Sequence, residues 1–309
     1  VVQRLEGLAH DQMQELSGNG HRCFLPKTVQ QLAQIYLEHP NAKLVAGGTD
    51  LALTLTQHYK PLPTLIALEH IDALKTCNET DETWLLGAGA ALNTISAFLT
   101  ERIPGVSEML QRFASLQIRS QGTLGGNIAN ASPIGDASPM LLALNASLLL
   151  QQGETQRSVK LDDFFTGYRQ TLLAEGEFIR AISIPKVTVS PDFVAWKVSK
   201  RLDDDISAVF AAFNIWVENG VVRDASIAFG GMAATPKRAS ACEHVLTGQP
   251  LNAATLAQAC AALADDFQPL SDFRASADYR LQVARNLLRR YYHRYNGDVT
   301  ITEVSRYVS

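Results

Sequence analysis

The stretch Leu44-Val45-Ala46-Gly47-Gly48-Thr49-Asp50-Leu51 decides how the first part of the chain is interpreted. Its apolar start is typical of a short buried strand, and the strand runs into a pair of glycines. A helical pattern of apolar residues precedes it, between Pro26 and His39-Pro40. Helix, strand and glycine turn in succession predict an α/β unit. Glycines after a strand let backbone N–H groups approach an anion, so phosphate binding and a plain turn are both open interpretations.

A second glycine-rich stretch covers residues 122–136, with the sequence GTLGGNIANASPIGD. Its density of turn formers predicts ordered loops from residue 119 onward. Such a loop costs conformational entropy unless something organises it. Backbone amides and the Thr123 hydroxyl can meet phosphate oxygens, and Asp136 can accept a hydrogen bond from a ribose or ribityl hydroxyl. A structural loop is the alternative, but two glycine-rich loops in one domain favour a bound dinucleotide.

Other motifs carry less information. Gly87-Ala88-Gly89-Ala90-Ala91-Leu92 resembles the start of a dinucleotide fingerprint but lacks the third glycine, so a structural turn is favoured. The sequence contains no P-loop, no H-E-x-x-H zinc motif and no G-x-S-x-G nucleophile elbow. The seven histidines are dispersed and are interpreted as structural, so no metal site is predicted.

Periodicity outlines the remaining elements. Strands are predicted at 65–68 and 84–86, and an amphipathic helix after Pro104-Gly105 carries Val106, Met109, Leu110 and Phe113. Hairpins are predicted around 148–159 and, most clearly, at 206–229, where Asn219-Gly220 suits a tight turn. Helices at about 252–267 and 276–293 follow. Strands followed by helices imply a separate α+β domain, with a boundary near 185–191.

Composition excludes several classes of protein. The 309 residues are 46% hydrophobic and 19% charged, with net charge −4 and pI about 6.0, so no basic field favours nucleic acid. No apolar run is long enough to span a membrane, and the start does not resemble a signal peptide. Four cysteines without C-x-x-C spacing indicate reduced thiols in a cytoplasmic protein and exclude a cysteine-ligated iron–sulfur cluster within the chain.

Several long motifs, in a fixed order, resemble one family. Residues 44–51, 119–136, 164–169 and 197–206 resemble the FAD domain of the xanthine dehydrogenases, which are molybdenum hydroxylases. Residues 228–238 resemble the C-terminal flavoprotein domain that follows it. The resemblance covers nearly the whole chain after Phe24 and is closest to the small subunit of the bacterial two-subunit enzyme.

The resemblance implies an α+β fold. It consists of a two-part FAD-binding domain and a C-terminal domain like that of the CO dehydrogenase flavoproteins, with a small antiparallel sheet and helices. The family's small subunit begins with [2Fe–2S] modules, but the cysteines that these need are missing here. The expected organisation is therefore a linker from missing iron–sulfur modules at 1–22, the FAD-binding domain at 23–188 and the C-terminal domain at 189–300. The absent initiator Met also fits a piece of a longer polypeptide.

The resemblance also implies site residues. The pyrophosphate would be cradled by Leu44, Val45, Ala46, Gly47, Gly48, Thr49, Asp50 and Leu51. The other implied cofactor contacts are Phe113, Thr123, Gly126, Asn127, Asp136, Ile179 and Lys197. Tyr168 and Asp204 would lie close to the flavin ring and the incoming NAD. Core packing would equally explain Phe113 and Ile179, and a solvated acidic turn would explain residues 203–205.

The implied activity is electron transfer. A molybdenum cofactor on a large partner subunit would hydroxylate a purine, and electrons would pass through [2Fe–2S] modules to FAD on this chain and then to NAD⁺. A dimer of heterodimers in the cytoplasm is the expected assembly. One alternative is the FAD subunit of a CO dehydrogenase or aldehyde oxidase type enzyme. Another is a non-catalytic module that binds a nucleotide for assembly, and such a module would lack the yellow colour of a flavoprotein.

Overall fold

The first part of the fold is a small mixed sheet covered by one helix. The computed structural model describes residues 12–202 and 204–298. The sheet consists of β1 (Gln14–Gly18), β2 (His21–Leu25), β3 (Lys43–Val45) and β4 (Thr64–Ala67). Their order is β1-β2-β4-β3, with β2, β4 and β3 parallel and β1 antiparallel to β2. This arrangement confirms the predicted succession of helix, strand and turn.

The helix of this unit is α1 (Val29–Glu38). It begins where the Thr28 hydroxyl accepts a hydrogen bond from the Gln31 amide at 3.2 Å, which satisfies a free N–H of the first turn. Its apolar face is buried against Phe24 and Ile66 of the sheet. Strand β3, in contrast, is only partly buried, because its end borders a cavity instead of the core. The short helix α2 (Ala52–Thr56) follows the glycine turn.

An antiparallel sheet forms the second unit. Its strands are β5 (Cys77–Glu79), β6 (Thr83–Gly87), β7 (Ser147–Gln152), β8 (Thr155–Lys160) and β11 (Glu177–Pro185), in the order β5-β6-β11-β7-β8. A small hairpin of β9 (Phe165–Gly167) and β10 (Gln170–Thr171) precedes β11. The helices between the strands are α3 (Leu92–Thr100), α4 (Ser107–Gln111), α5 (Leu116–Gln121), α6 (Leu124–Ala129) and α7 (Ala137–Ala143).

Two predictions for this unit need correction. Residues 119–136 are not loop alone, because α5 ends at Gln121, α6 lies within the stretch and α7 begins directly after it. The helix predicted to include Phe113 ends earlier, at Gln111, and Ala114 adopts a left-handed φ of 46°. The chain thus turns sharply at Phe113, which is still buried. The adjacent glycines and the asparagine of α6 gave no helical pattern from which this helix could be predicted.

The C-terminal unit pairs an antiparallel sheet with helices. Its strands are β12 (Val194–Val198), β13 (Val209–Glu218), β14 (Val221–Gly230) and β15 (Lys237–Arg238), in sequence order across the sheet. Its helices are α8 (Ser240–Leu246), α9 (Ala253–Asp266) and α10 (Ala277–Tyr295). The predicted Asn219-Gly220 turn is confirmed by left-handed φ values of 51° and 75°. No helix in residues 12–202 and 204–298 is long and apolar enough to cross a bilayer.

The core is continuous across the predicted domain boundary. Helix α7 packs on β13 and β14, and Phe210 belongs to the same apolar cluster as the second sheet. Buried Asn214 donates to the carbonyl oxygens of Ala143, at 2.9 Å, and Thr188, at 2.8 Å. Residues 1–11 of the predicted linker lie outside the described residues, as do the predicted C-terminal domain's residues 299–300. Strand β1 and the start of β2 lie within the predicted linker and pair in the first sheet, and the domain bounds stay a prediction.

A three-residue ion cluster joins the end of β5 to the residues that follow α3 and β11. Glu79 receives Lys186 Nζ at 2.6 Å and Arg102 Nε at 2.9 Å. The hydrogen bonds from Lys186, and then from Arg102, lower the pKa of Glu79 to about 2. A depressed carboxyl pKa contributes stability above the unfolded-state pKa of 4.5, and this stability is lost as pH falls toward about 2.

We therefore expect Glu79→Gln to flatten the acid limb of the stability profile. Between pH 4.5 and pH 2, the wild type should lose more unfolding free energy than the variant, because only the wild type must protonate this ion-paired carboxylate. Urea unfolding at a series of pH values measures the difference. Glu154→Gln, at the exposed β7–β8 turn, is the matched control. Parallel profiles for wild type and Glu79→Gln would contradict the expectation.

Candidate functional site

The site is a cavity of about 900 Å³ between the two glycine-rich stretches. This volume falls in the usual range of small-molecule and cofactor sites, roughly 300–1,000 Å³. Its walls come from the end of β3, the segments around α5 to α7, strand β11 and residues 204–206 of the C-terminal unit. Elements from every unit of the fold thus meet around a single space.

The first glycine turn forms one wall, and residues 44–51 all line the cavity. A Cβ at Gly47 would lie 1.7 Å from the backbone oxygen of Gln121, so only glycine permits the two loops to touch here. Gly48 has a left-handed φ of 69°, and a Cβ there would have one neighbour within 4 Å, Val45 Cγ1 at 3.9 Å. The two glycines therefore serve different purposes. Gly47 allows close packing, and Gly48 allows the turn to expose its backbone.

The second stretch presents the beginning of α6 to the cavity. The Thr123 hydroxyl caps this helix by accepting from the Gly126 amide at 3.2 Å, which leaves its own O–H free to donate to a ligand. Thr123, Gly126 and Asn127 all line the cavity. The Oδ1 atom of Asn127 is buried and has no hydrogen-bond partner among the described residues. An orphaned buried acceptor is costly, so a ligand donor at this point would offset that cost.

Asp136 and Lys197 lie in the cavity wall but bind each other. Lys197 Nζ is 2.7 Å from Asp136 Oδ2, and both side chains are buried. Ser207 completes the cluster by donating to Asp136 Oδ1 at 2.6 Å and accepting from Lys197 at 2.9 Å. The hydrogen bond from a cofactor hydroxyl to Asp136 stays a prediction, and the structure adds that its carboxylate neutralises a buried ammonium. Two of the three lysine N–H groups are used in this cluster, and the third is left for a ligand.

Sequence reasoning did not find Ser207. Nothing in its local sequence distinguishes it from any other serine near a strand. The pairing of β12 with β13 brings it to Lys197, through the bond from the Ala208 amide to the Val198 oxygen at 2.8 Å. Only the register of β12 on β13, which the sequence did not predict, could have indicated this proximity.

The apolar part of the wall comes from Phe113 and Ile179. Both are buried, with exposed fractions of 8% and 7%, and both line the cavity. Phe113 is held where the chain turns after α4, because Arg119 donates to its carbonyl oxygen at 2.8 Å. Ile179 lies beside a bulge in β11. Such side chains suit the contact with a flat ring system, although their role as cofactor contacts stays a prediction.

The two residues predicted near a flavin ring differ in their placement. Asp204 lines the cavity and has a left-handed φ of 50°. Tyr168 is 63% exposed at the β9–β10 turn and is not among the lining residues, so the geometry does not bring it to the site. Its neighbour Arg169 lines the cavity instead, with a φ of 53°. The tight turn directs the two adjacent side chains differently, which no sequence motif would reveal.

Further residues line the cavity, and two of them come from the stretch that had been interpreted as a structural turn. Ala88 and Gly89, from the weak fingerprint, reach the cavity, and a Cβ at Gly89 would lie 3.1 Å from Leu74 Cβ. Glu177 also lines the cavity and forms two hydrogen bonds with Arg157, at 2.7 and 2.8 Å. The bond to Arg157 lowers the pKa of Glu177, so this carboxylate is charged and neutralised by its partner.

Comparison with known families identifies the class of protein. Residues 16–187 match the FAD binding domain in molybdopterin dehydrogenase, and residues 194–295 match the CO dehydrogenase flavoprotein C-terminal domain. The chain therefore belongs to the family of FAD-binding portions of the molybdenum hydroxylases, which are oxidoreductases. The α+β fold class and the family implied by the sequence motifs are thereby confirmed.

Individual relatives agree with this family. The xanthine dehydrogenase of Drosophila subobscura is 36% identical over 247 residues, which are 74% of this chain and 18% of that protein. A nicotinate hydroxylase of Emericella nidulans is 31% identical over 297 residues, or 88% of this chain and 22% of its own length. The chain thus spans about a fifth of the curated relatives it matches.

Solved structures agree as well. A chain of the carbon monoxide dehydrogenase from Hydrogenophaga pseudoflava superposes with a TM-score of 0.81 at 27% identity. The match covers 87% of this chain and 94% of that one. A quinoline 2-oxidoreductase chain from Pseudomonas putida shares the fold, with a TM-score of 0.80 at 24% identity.

Proposed function

We propose that this chain holds FAD in the cavity and passes electrons from iron–sulfur clusters to NAD⁺, as the flavin part of a xanthine dehydrogenase. The observation that carries the proposal is the convergence of both glycine-rich stretches and the Lys197 cluster on a space of about 900 Å³. A family model for FAD binding covers both glycine-rich stretches and Asp136. Several curated relatives are named xanthine dehydrogenase, which favours this type of enzyme.

The residues of the cavity fit FAD chemically. The backbone of the Gly47-Gly48 turn and the Thr123 hydroxyl both line the cavity and are suited to phosphate oxygens. The orphaned Asn127 oxygen can accept a hydrogen bond from a cofactor donor, and Phe113 and Ile179 offer apolar surface. When bound, FAD supplies the exchange of electrons and hydride, while the protein orients it and tunes its surroundings.

The substrate chemistry is assigned to other segments or chains. A molybdenum-cofactor subunit would oxidise hypoxanthine or xanthine, and [2Fe–2S] modules would relay the electrons to this chain. The length of the relatives supports this division. The region matched to this chain makes up only 18% of the Drosophila subobscura xanthine dehydrogenase. A cytoplasmic dimer of heterodimers is the assembly we propose.

A second candidate is the flavin part of a carbon monoxide dehydrogenase or aldehyde oxidase type enzyme. The specific observation in its favour is the close superposition on the carbon monoxide dehydrogenase chain. Both candidates place FAD in the same cavity and differ in the partner subunit and the electron acceptor. The acceptor therefore distinguishes them at the level of this chain.

The test separates the two half-reactions. The chain reconstituted with FAD should be reduced by NADH, because hydride transfer needs only flavin and nicotinamide in contact. Xanthine should not reduce it, because its hydroxylation and the electron relay are assigned to other segments. Anaerobic mixing, followed by bleaching of the oxidised flavin band, measures both. Free FAD under the same conditions is the control.

Each result has a consequence. Bleaching by xanthine without added subunits would overturn the proposed division of labour. Absence of bleaching by NADH, despite full FAD occupancy, would favour the second candidate. A chain that binds no FAD, and is therefore colourless, would contradict the proposed function itself.

A further inference from the structure

A single arginine connects the two halves of the cavity wall. Arg112 follows α4, and its guanidinium donates to three acceptors on residues 197–202. These acceptors are the Lys197 oxygen at 2.8 Å, Ser199 Oγ at 3.2 Å and the Leu202 oxygen at 3.2 Å. The partners lie 85 to 90 positions later in the chain. Arg112 itself is not among the residues that line the cavity.

The segment that Arg112 holds leads into the part of the C-terminal unit that lines the cavity. Lys197 anchors Asp136 there, and residues 204–206 follow within a few positions. The segment also has internal order, since Ser199 Oγ donates to the Arg201 oxygen at 2.7 Å. Beyond this segment, the start of β13 is held independently, because buried Arg280 donates to the oxygens of Ala208 and Gly231. Arg112 thus joins both ends of residues 197–202 to the end of α4, in addition to the pairing of Lys197 and Val198 with β13.

The other side of Arg112 faces the flavin-binding half. Its sequence neighbour Phe113 forms the apolar wall, and Arg119 secures the carbonyl oxygens of Phe113 and Ala114 at 2.8 and 3.2 Å. A displacement of Arg112 would therefore disturb Phe113 and Lys197 together. A planar guanidinium with five N–H groups can serve three acceptors in different directions, which a lysine ammonium at this position cannot match.

We propose that Arg112 is a positioning residue for the cofactor: it fixes residues 197–202 so that Lys197 meets the ligand in the cavity. The inference rests on the proposed function, because it assumes that FAD occupies this space. Arg112 acts through Lys197 and Phe113 and touches no cofactor itself. Its contribution is pre-organisation, since a segment that is already ordered loses less freedom when the ligand binds.

The experiment compares Arg112→Ala, Arg112→Lys and the control Arg223→Ala, which removes an exposed arginine paired with Glu218. FAD affinity is measured by fluorescence titration, the bound flavin by visible circular dichroism, and the FAD-free protein by thermal unfolding. Arg112→Ala should weaken FAD binding about tenfold, as loss of hydrogen bonds from a charged donor predicts. It should also change the flavin dichroism, and millimolar guanidinium should restore both. Arg112→Lys should bind FAD several-fold more weakly, and Arg223→Ala should match the wild type.

The outcomes distinguish the two proposals. Wild-type protein that binds no FAD contradicts the proposed function. If the wild type binds FAD and Arg112→Lys has the same affinity and dichroism, the inference is overturned, even where the alanine variant does not fold. A weakened alanine variant that guanidinium does not restore, with an equal loss of thermal stability in the FAD-free protein, assigns Arg112 a purely structural role and also overturns the inference.

Discussion

Replacing Asp136 by alanine is expected to destabilise the FAD-free protein by about 3–5 kcal/mol. In the intact cluster, Lys197 Nζ lies 2.7 Å from Asp136 Oδ2. The substitution removes this carboxylate and leaves the Lys197 ammonium buried without a counter-charge. Ser207 loses its acceptor at the same time. Because desolvation of an unpaired charge is so costly, the effect should exceed the loss of one ordinary hydrogen bond, about 0.5–1.5 kcal/mol.

A double-mutant cycle isolates this effect. Urea unfolding without FAD is measured for Asp136→Ala, Lys197→Met and the double variant, with Ser207→Ala as the control that removes only the hydroxyl. The double variant should lose clearly less stability than the two single losses added together, because it leaves no unpaired charge. Additive losses, or an unfolding midpoint of Asp136→Ala equal to that of the wild type, would show that the ion pair has no such role.

The same substitution affects ligand binding separately. From the sequence alone, Asp136→Ala is expected to weaken FAD binding by roughly 1–3 kcal/mol, the range for a hydrogen bond to a charged group. The structure predicts a loss of folding stability in addition, because the Asp136 carboxylate pairs with Lys197 before any ligand binds. Titrating FAD at a temperature where the variant is still folded keeps the two effects apart.

The sequence predicted those features whose causes are local. Glycine pairs after a strand, the amphipathic helices and the Asn219-Gly220 hairpin each depend on residues within a few positions of one another. The cavity-lining position of residues 44–51 follows from the same local logic, because the turn has to expose its backbone. The family resemblance then indicated isolated residues such as Phe113 and Ile179, which periodicity cannot distinguish from ordinary core residues.

The features that the sequence could not predict arise from long-range packing. Asp136 and Lys197 are 61 positions apart, and Arg112 meets its acceptors across 85 to 90 positions. Arg169 lines the cavity and Tyr168 does not, because a two-residue turn separates the directions of these neighbouring side chains. In each case the deciding geometry is the register or docking of elements, and a motif records only which residues are present.

Gly47→Ala is expected to disrupt the first glycine turn, residues 44–51, more severely than Gly48→Val. The new Cβ would lie 1.7 Å from the Gln121 oxygen and 2.3 Å from its carbon, and both are backbone atoms that cannot rotate away. The loops that carry residues 44–51 and 122–136 must therefore separate. We expect FAD affinity to fall by at least tenfold, on the order of 1.4 kcal/mol or more, together with a lower melting temperature.

Two further glycine substitutions test this cause. Gly48→Val leaves the packing intact but forces a branched residue to a φ of 69°, a strain of roughly 1–2 kcal/mol, so it should weaken FAD binding while the fold persists. Gly18→Ala adds a Cβ with no atom within 4 Å, and should behave as the wild type. Fluorescence titration of FAD and thermal unfolding rank the three variants. If Gly47→Ala bound FAD as tightly as Gly18→Ala, the contact between the two loops could not be what shapes the cavity.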